Sequence, residues 1–216
     1  MSNASNGRPG GAGLRPASRS EPKGWYSRGY LPHFDVPDLI QAVTFRLADS
    51  LPKSALDRLD ANGIDAAGRR DLIEATIDCG LGECLLGAEQ NAQIVQRSLL
   101  HFDGERYRLL AWVVMPNHLH VLLETFPRFP LADVIRSWKT FTARGINLLR
   151  GRQGAVWQPD YFDRYIRDQA HFEAAVRYIE QNPVKAGLVG SPAQWPFGSA
   201  AMRAGGPRPQ DDQLVS

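Results

Sequence analysis

The sequence predicts an α+β domain organised around an antiparallel sheet, and three features carry that expectation. A strand, a turn and a second strand run together between Tyr107 and Thr125, an alternating strand lies upstream at Gln41 to Ala48, and the intervening segments have helical spacing of their apolar residues. A central hairpin with helices elsewhere argues against a doubly wound parallel sheet. The length of 216 residues suits one domain with arms, and 43% hydrophobic with 22% charged residues excludes disorder throughout.

In chain order, residues 1–24 are rich in Gly, Ser, Pro and Arg, with Arg8, Arg15, Arg19 and Lys23 against Glu21 alone, and are expected to form a flexible basic tail. Gln41 to Ala48 (QAVTFRLA) alternates and is β-branched and aromatic enough for a strand. Ser54 to Asp60, Arg69 to Asp78 and Ala88 to Leu100 show three-to-four spacing broken by glycines, giving a helical insertion over about residues 49–101. Tyr107 to Met115 reads as a buried strand, Pro116-Asn117 as a turn, and His118 to Thr125 as the returning strand. Leu131 to Leu149 is an amphipathic helix, Val156 to Ile166 a short strand or extended edge, and Gln169 to Gln181 a helix ended by Asn182-Pro183. Residues 203–216 are expected to be a second flexible tail, leaving 25–202 as the folded domain.

Chemistry concentrates in two places. His118 and His120 lie two apart in a strand, so both imidazoles project from one face in the manner of metal ligands. On the last helix Tyr178 and Asn182 lie four apart, one turn above each other, and flank the apolar stripe. Taken singly, each has an ordinary structural explanation: a partly exposed histidine pair, a packing tyrosine, a capping asparagine. Tyr161 and Tyr165 are rival nucleophiles but lack a ligand partner at helical spacing.

Lysine and arginine total 25 against 23 acids, so a nucleic-acid partner would need a local basic patch. Arg136, Lys139, Arg144, Arg150 and Arg152 supply one, since Asp133 is the only acid between Arg128 and Arg152. Trp157, Tyr161 and Phe162, interleaved with Arg164 and Arg167, are candidates for stacking on unpaired bases. Cys79 and Cys84 have neither zinc-site nor disulfide-framework spacing and read as reduced thiols. No run approaches the ~18 apolar residues of a membrane span, and the expected compartment is the cytoplasm.

Four motifs together carry a specific likeness. AWVVMPNHLHVLLE (Ala111 to Glu124), SWKTFTARGIN in the next helix, VWQPDYFDRYIRD (Val156 to Asp168) and YIEQNPVKAGLV (Tyr178 to Val189) resemble the REP-associated tyrosine transposases, the single-tyrosine branch of the HUH (His-hydrophobic-His) nucleases. The likeness runs from about Tyr30 to Phe197 with the motifs in the family's order. Where many family members carry Gly-Thr-Trp or Gly-Thr-Ser before the first strand, this chain has Leu39-Ile40-Gln41.

The resemblance implies a ferredoxin-like antiparallel sheet covered by helices, here with a helical insertion after the first strand. It implies His118, His120 and Asn182 as ligands of Mg²⁺ or Mn²⁺, Tyr178 as the nucleophile, and single-stranded or hairpin DNA as the partner of a monomer or homodimer. The implied activity is cleavage and strand transfer through a 5′-phosphotyrosine link, with no nucleotide cofactor because the link preserves the phosphodiester energy. The alternative within the same fold is a domesticated hairpin-binding protein with little turnover.

Overall fold

The computed structural model describes residues 24–28, 31–35, 38–51, 68, 72–73, 76 and 80–205. A two-stranded antiparallel hairpin, β1 (Gly24–Arg28) with β2 (Leu31–Asp35), precedes the main sheet. The main sheet has β3 (Ile40–Arg46), β4 (Tyr107–Val114), β5 (His118–Thr125) and β6 (Phe162–Tyr165), all pairing antiparallel in the order β4-β5-β3-β6. The helices are α1 (Glu89–Leu100), α2 (Leu131–Leu149), α3 (Gln169–Lys185) and the short α4 (Ser199–Arg203). Counting from β3, the second and third strands form the hairpin while the first lies between the third and fourth. This is the ferredoxin-like order, so the expected α+β architecture stands.

The sheet divides the molecule because side chains of a strand alternate between its faces. Val43, Phe45, Leu119, Val121 and Leu123 point to one face and join Val95 and Leu99 of α1 and Val134, Ile135 and Trp138 of α2 in the larger core. Ala111, Val113, Met115 and Leu122 point to the other, where Ile179 of α3 meets them. His118 and His120 are in register with Leu122 and therefore face α3.

Several expectations change. The β1–β2 pair is not among the expected elements, because two five-residue strands offer little periodicity; it also takes Gly24 out of the expected tail. The first main strand ends at Arg46, and Leu47 bridges Trp157 outside it. Val156 and Trp157 are buried, so only Phe162–Tyr165 of the expected edge segment is a strand. Helix α3 continues past Asn182 and holds Pro183 within it. A proline in the last turn is tolerated because chain beyond it still closes the ladder, with Ala186 N–H donating to the Asn182 carbonyl. Asn182 is therefore a buried interior residue, not a cap.

Residues 1–23, 206–216 and the expected helix Ser54 to Asp60 lie outside the described residues. Of the expected helix Arg69 to Asp78, only Leu72, Ile73 and Thr76 are described, all helical. Cys79 is likewise outside, and Cys84 is a free thiol donating to the Gly80 carbonyl at 3.1 Å. Burial and the neighbouring Asp49 push its pKa up, which makes it a poor nucleophile. Among the described residues no helix is long and apolar enough to cross a membrane.

Candidate active site

The histidine pair is held from its turn. Pro116-Asn117 is a two-residue loop closed by Met115 N–H donating to the His118 carbonyl at 2.9 Å. The loop's own carbonyls accept from neighbours, Pro116 from Leu86 N–H and Asn117 from Leu47 N–H. The Asn117 amide donates through Nδ2 to the Leu81 carbonyl at 3.1 Å, which leaves its Oδ1 for His118 Nδ1 at 2.7 Å. Next to Leu81, Gly82 packs closely on Asp49: its φ is +92°, and a Cβ there would lie 2.8 Å from the Asp49 carbonyl oxygen.

These bonds fix protons. Because Oδ1 of Asn117 can only accept, His118 carries its proton on Nδ1 and presents a lone pair at Nε2. His120 Nε2 lies 3.1 Å away, and its Nδ1 meets the Thr44 hydroxyl at 2.7 Å. Thr44 can donate or accept, so His120 can adopt either tautomer and free its own Nε2 when a cation arrives. Both rings are buried. Burial pushes His118 well below the usual imidazole range, with the His120 charge contributing; burial and then the Lys185 charge bring His120 to about 3. Neutral imidazoles are the ligating form.

Helix α3 supplies the other half. Its N-terminus is capped by the Asp168 carboxylate, which accepts from His171 N–H at 2.8 Å. Ile179 anchors it to the sheet, and this phase brings the half-buried Tyr178 ring edge-on to His120 with centroids 5.2 Å apart. Lys185, seven residues on and so on the same helix side, places its Nζ 4.7 Å from the Tyr178 ring centroid. Sequence reasoning missed Lys185; two helical turns from the tyrosine was the available signal.

Two features of the donor set bear on a divalent cation. Adjacent ligands at about 2.1 Å from one octahedral ion lie about 3 Å apart, a separation the two Nε2 atoms already have. Asn182 is buried with neither Oδ1 nor Nδ2 hydrogen-bonded, an arrangement that a folded protein tolerates where a ligand completes it. Among the described residues no three His, Cys, Asp or Glu side chains cluster, so any further donor beside the two imidazoles would be of another kind, as the buried Asn182 amide is. The two imidazoles fit such an ion.

The remaining expected site residues are scattered. Lys139 donates to the carbonyls of Gln158, Pro159 and Asp160 at 2.9, 3.2 and 2.8 Å, clamping the chain ahead of β6; it is committed to the fold and is corrected from a DNA contact. Trp157 is corrected likewise: it is buried, packs edge-on against Phe45 and donates to Thr142 Oγ1 at 2.8 Å. Arg150 and Arg152 both pair with Glu83, and Arg136 pairs with Asp133. Arg136 and Arg144 are exposed on α2, across the sheet from the histidines, while Arg164 and Arg167 are exposed near α3. The rival Tyr161 is buried in the larger core, and Tyr165 pairs with Gln41, whose side chain points away from α3. Neither shares a face with His120.

Comparison with known proteins follows the same lines. The family model described as "Transposase IS200 like" matches residues 90–182, a span that holds both histidines, Tyr178 and Asn182. A REP-associated tyrosine transposase of Escherichia coli K12 is 28% identical over 106 residues, covering 49% of this chain and 62% of the relative, less than two thirds of its length. An uncharacterized protein of Haemophilus influenzae is 26% identical over 140 residues, covering 50% of this chain and 78% of its own. Among solved structures, a REP-associated tyrosine transposase bound to a REP hairpin shares the fold with a TM-score of 0.54 at 19% identity, over 88% of this chain and 100% of that one. The resemblance to the REP-associated tyrosine transposases therefore holds in sequence over about half of the chain and in fold, and residues 90–182 match the IS200-like transposase family model.

Proposed function

We propose that this chain is a transposase-type endonuclease and strand transferase acting on hairpin DNA with single-stranded flanks, with Tyr178 as its nucleophile. The observation that carries the reading is the convergence of two neutral imidazoles, Nε2 to Nε2 at 3.1 Å, beside the ring of a helix-borne tyrosine. His118, His120 and Asn182 would hold Mg²⁺ or Mn²⁺, which when bound supplies charge stabilisation at the non-bridging oxygens of the scissile phosphate.

The chain's own residues do the rest. Ile179 and the Asp168 cap fix the helix, so the Tyr178 hydroxyl approaches from one direction, as in-line attack requires. Its oxygen forms a bond to phosphorus, the bond to the 3′ oxygen breaks, and the 3′ oxygen leaves as a hydroxyl while the phenolic proton passes to water. A 5′-phosphotyrosyl link results, whose retained energy allows rejoining without a nucleotide cofactor. Lys185 adds positive charge on the same helix side, suited to the phosphate. Arg164 and Arg167 on this side, and Arg136 and Arg144 across the sheet, are the exposed cations available to the DNA backbone.

The test is covalent capture. The parent with Mn²⁺ and hairpins flanking its own gene should give a protein–DNA adduct on a denaturing gel, and Tyr178→Phe should fold and bind hairpin yet give none. Tight binding by the parent without adduct or cleavage on any such hairpin would replace the enzyme with the domesticated binding protein.

A further inference from the structure

Beside the histidines, the sheet face under α3 is not fully covered. A pocket of about 240 Å³ opens between α3 and the β3–β6 edge, with Thr44, His120, Phe162, Arg164, His171 and Tyr178 in its wall. Register explains the lining: Thr44 pairs with both His120 and Phe162, and Ala42 pairs with Arg164, so Phe162 and Arg164 project from the His120 face. The hollow exists because the sheet and helix positions over it are small, namely Ala42, Ala174 and Ala175. Larger side chains there would fill it.

Its chemistry is specific. Phe162 contributes an aromatic ring, Arg164 a guanidinium at the exposed rim, and His171 an imidazole whose Nδ1 already accepts from Arg167 N–H at 3.3 Å, leaving Nε2 for another partner. An aromatic surface, a ring-edge hydrogen-bonding group and a cation form the set that takes a single nucleotide: stacking, edge contact and phosphate. The volume admits one base. The same wall includes Tyr178 and His120, so an occupant lies next to the reacting phosphate.

We propose that this pocket seats one unpaired nucleobase of the DNA strand immediately beside the phosphodiester that Tyr178 attacks, with Phe162, Arg164 and His171 setting which base is accepted. The inference rests on the DNA-cleaving reading above for the identity of the phosphate. It adds a base-reading subsite, and it requires the strand to be unpaired at that point.

The test reads binding, so it does not depend on turnover. A hairpin carrying single-stranded flanks is compared with the same hairpin without them, using full-length protein with parent Tyr178 or with Tyr178→Phe. One stacked base should make the flanked hairpin bind about five-fold or more tighter. 2-Aminopurine scanned along the flanks should change fluorescence on binding at one position, adjacent to the cleaved phosphate mapped from the adduct. Ala174→Leu, which fills the hollow from the exposed side of α3, and Phe162→Ala, which removes the stacking ring, should each erase the flank advantage and the fluorescence change. Both should leave the affinity for the unflanked hairpin in place. No responsive position, or a response that survives both variants, overturns the pocket. A pocket response in a parent that forms no adduct would instead leave the base subsite standing and overturn the cleavage reading.

Discussion

Replacing Asn182 by leucine should make the protein more stable and less active at once. Both side-chain polar atoms of Asn182 are buried without a hydrogen-bond partner. A buried polar group left unsatisfied costs about 1–3 kcal/mol, and leucine, though bulkier, keeps the branched outline of asparagine with better helix propensity and nothing to satisfy. In EDTA, Asn182→Leu is therefore expected to gain about 1–3 kcal/mol in urea unfolding, read as a higher midpoint at unchanged slope. In Mn²⁺ the order should narrow or reverse, because a cation bound only by the folded parent adds about 2.7 kcal/mol at a hundred times its Kd, and the variant has lost a donor. Adduct formation by the variant should fall below detection. A loss of stability in EDTA would show that the amide has structural partners, and retained adduct formation would remove it from the ligand set.

Other expected outcomes follow from the same contacts. Lys139→Met should lower stability by about 1.5–3 kcal/mol, since it strips a cation from three carbonyls, while the salt dependence of hairpin binding stays unchanged. Arg136→Gln with Arg144→Gln should instead flatten that dependence by about 0.7–0.9 per lost phosphate contact at fixed stability, as a salt titration would show. For pH, the folded pKa of His120 lies near 3 against 6.5 unfolded, so the unfolded state takes up the proton first on acidification. Its contribution is complete above pH 6.5 and shrinks as pH falls towards 3, by about 2 kcal/mol at pH 5. His118 acts in the same direction, and unfolding curves between pH 7 and 5 that fail to shift would show that the pair is solvated.

The parts of the molecule legible in the sequence are those where one local rule decides the outcome. Alternation placed His118 and His120 on one face, and helical spacing placed Tyr178 over Asn182, because both rules act within one element. The place of the basic cluster of α2 was not legible for the opposite reason: charge along a sequence does not say which layer a helix joins. Leu131, Val134, Ile135, Trp138 and Ile146 turn that helix onto the sheet face opposite the histidines, and the remaining positions inherit the outward direction. Lys139 sits at the boundary, where its long stem reaches the carbonyls ahead of β6. Trp157 was ambiguous as a residue type, and only the contact with Phe45 and Thr142 decides it. Pro183 invited a helix end where the chain needed one more turn to carry Lys185.

The two faces of the sheet serve different ends for a reason visible in β5. Leu119, Val121 and Leu123 bury against α1 and α2, so the strand cannot slip by a residue without moving three apolar side chains out of the larger core. That core holds in register the alternate residues, His118 and His120, which would otherwise be among the most expensive to bury in this chain. The Pro116-Asn117 turn fixes the strand along its axis, Thr44 and Asn117 fix the rings about theirs, and Ile179 fixes the helix that brings Tyr178. The histidines and Tyr178 thus sit on the side of the sheet with the thinner packing, and the rigidity that holds them is drawn from the larger core on the opposite side.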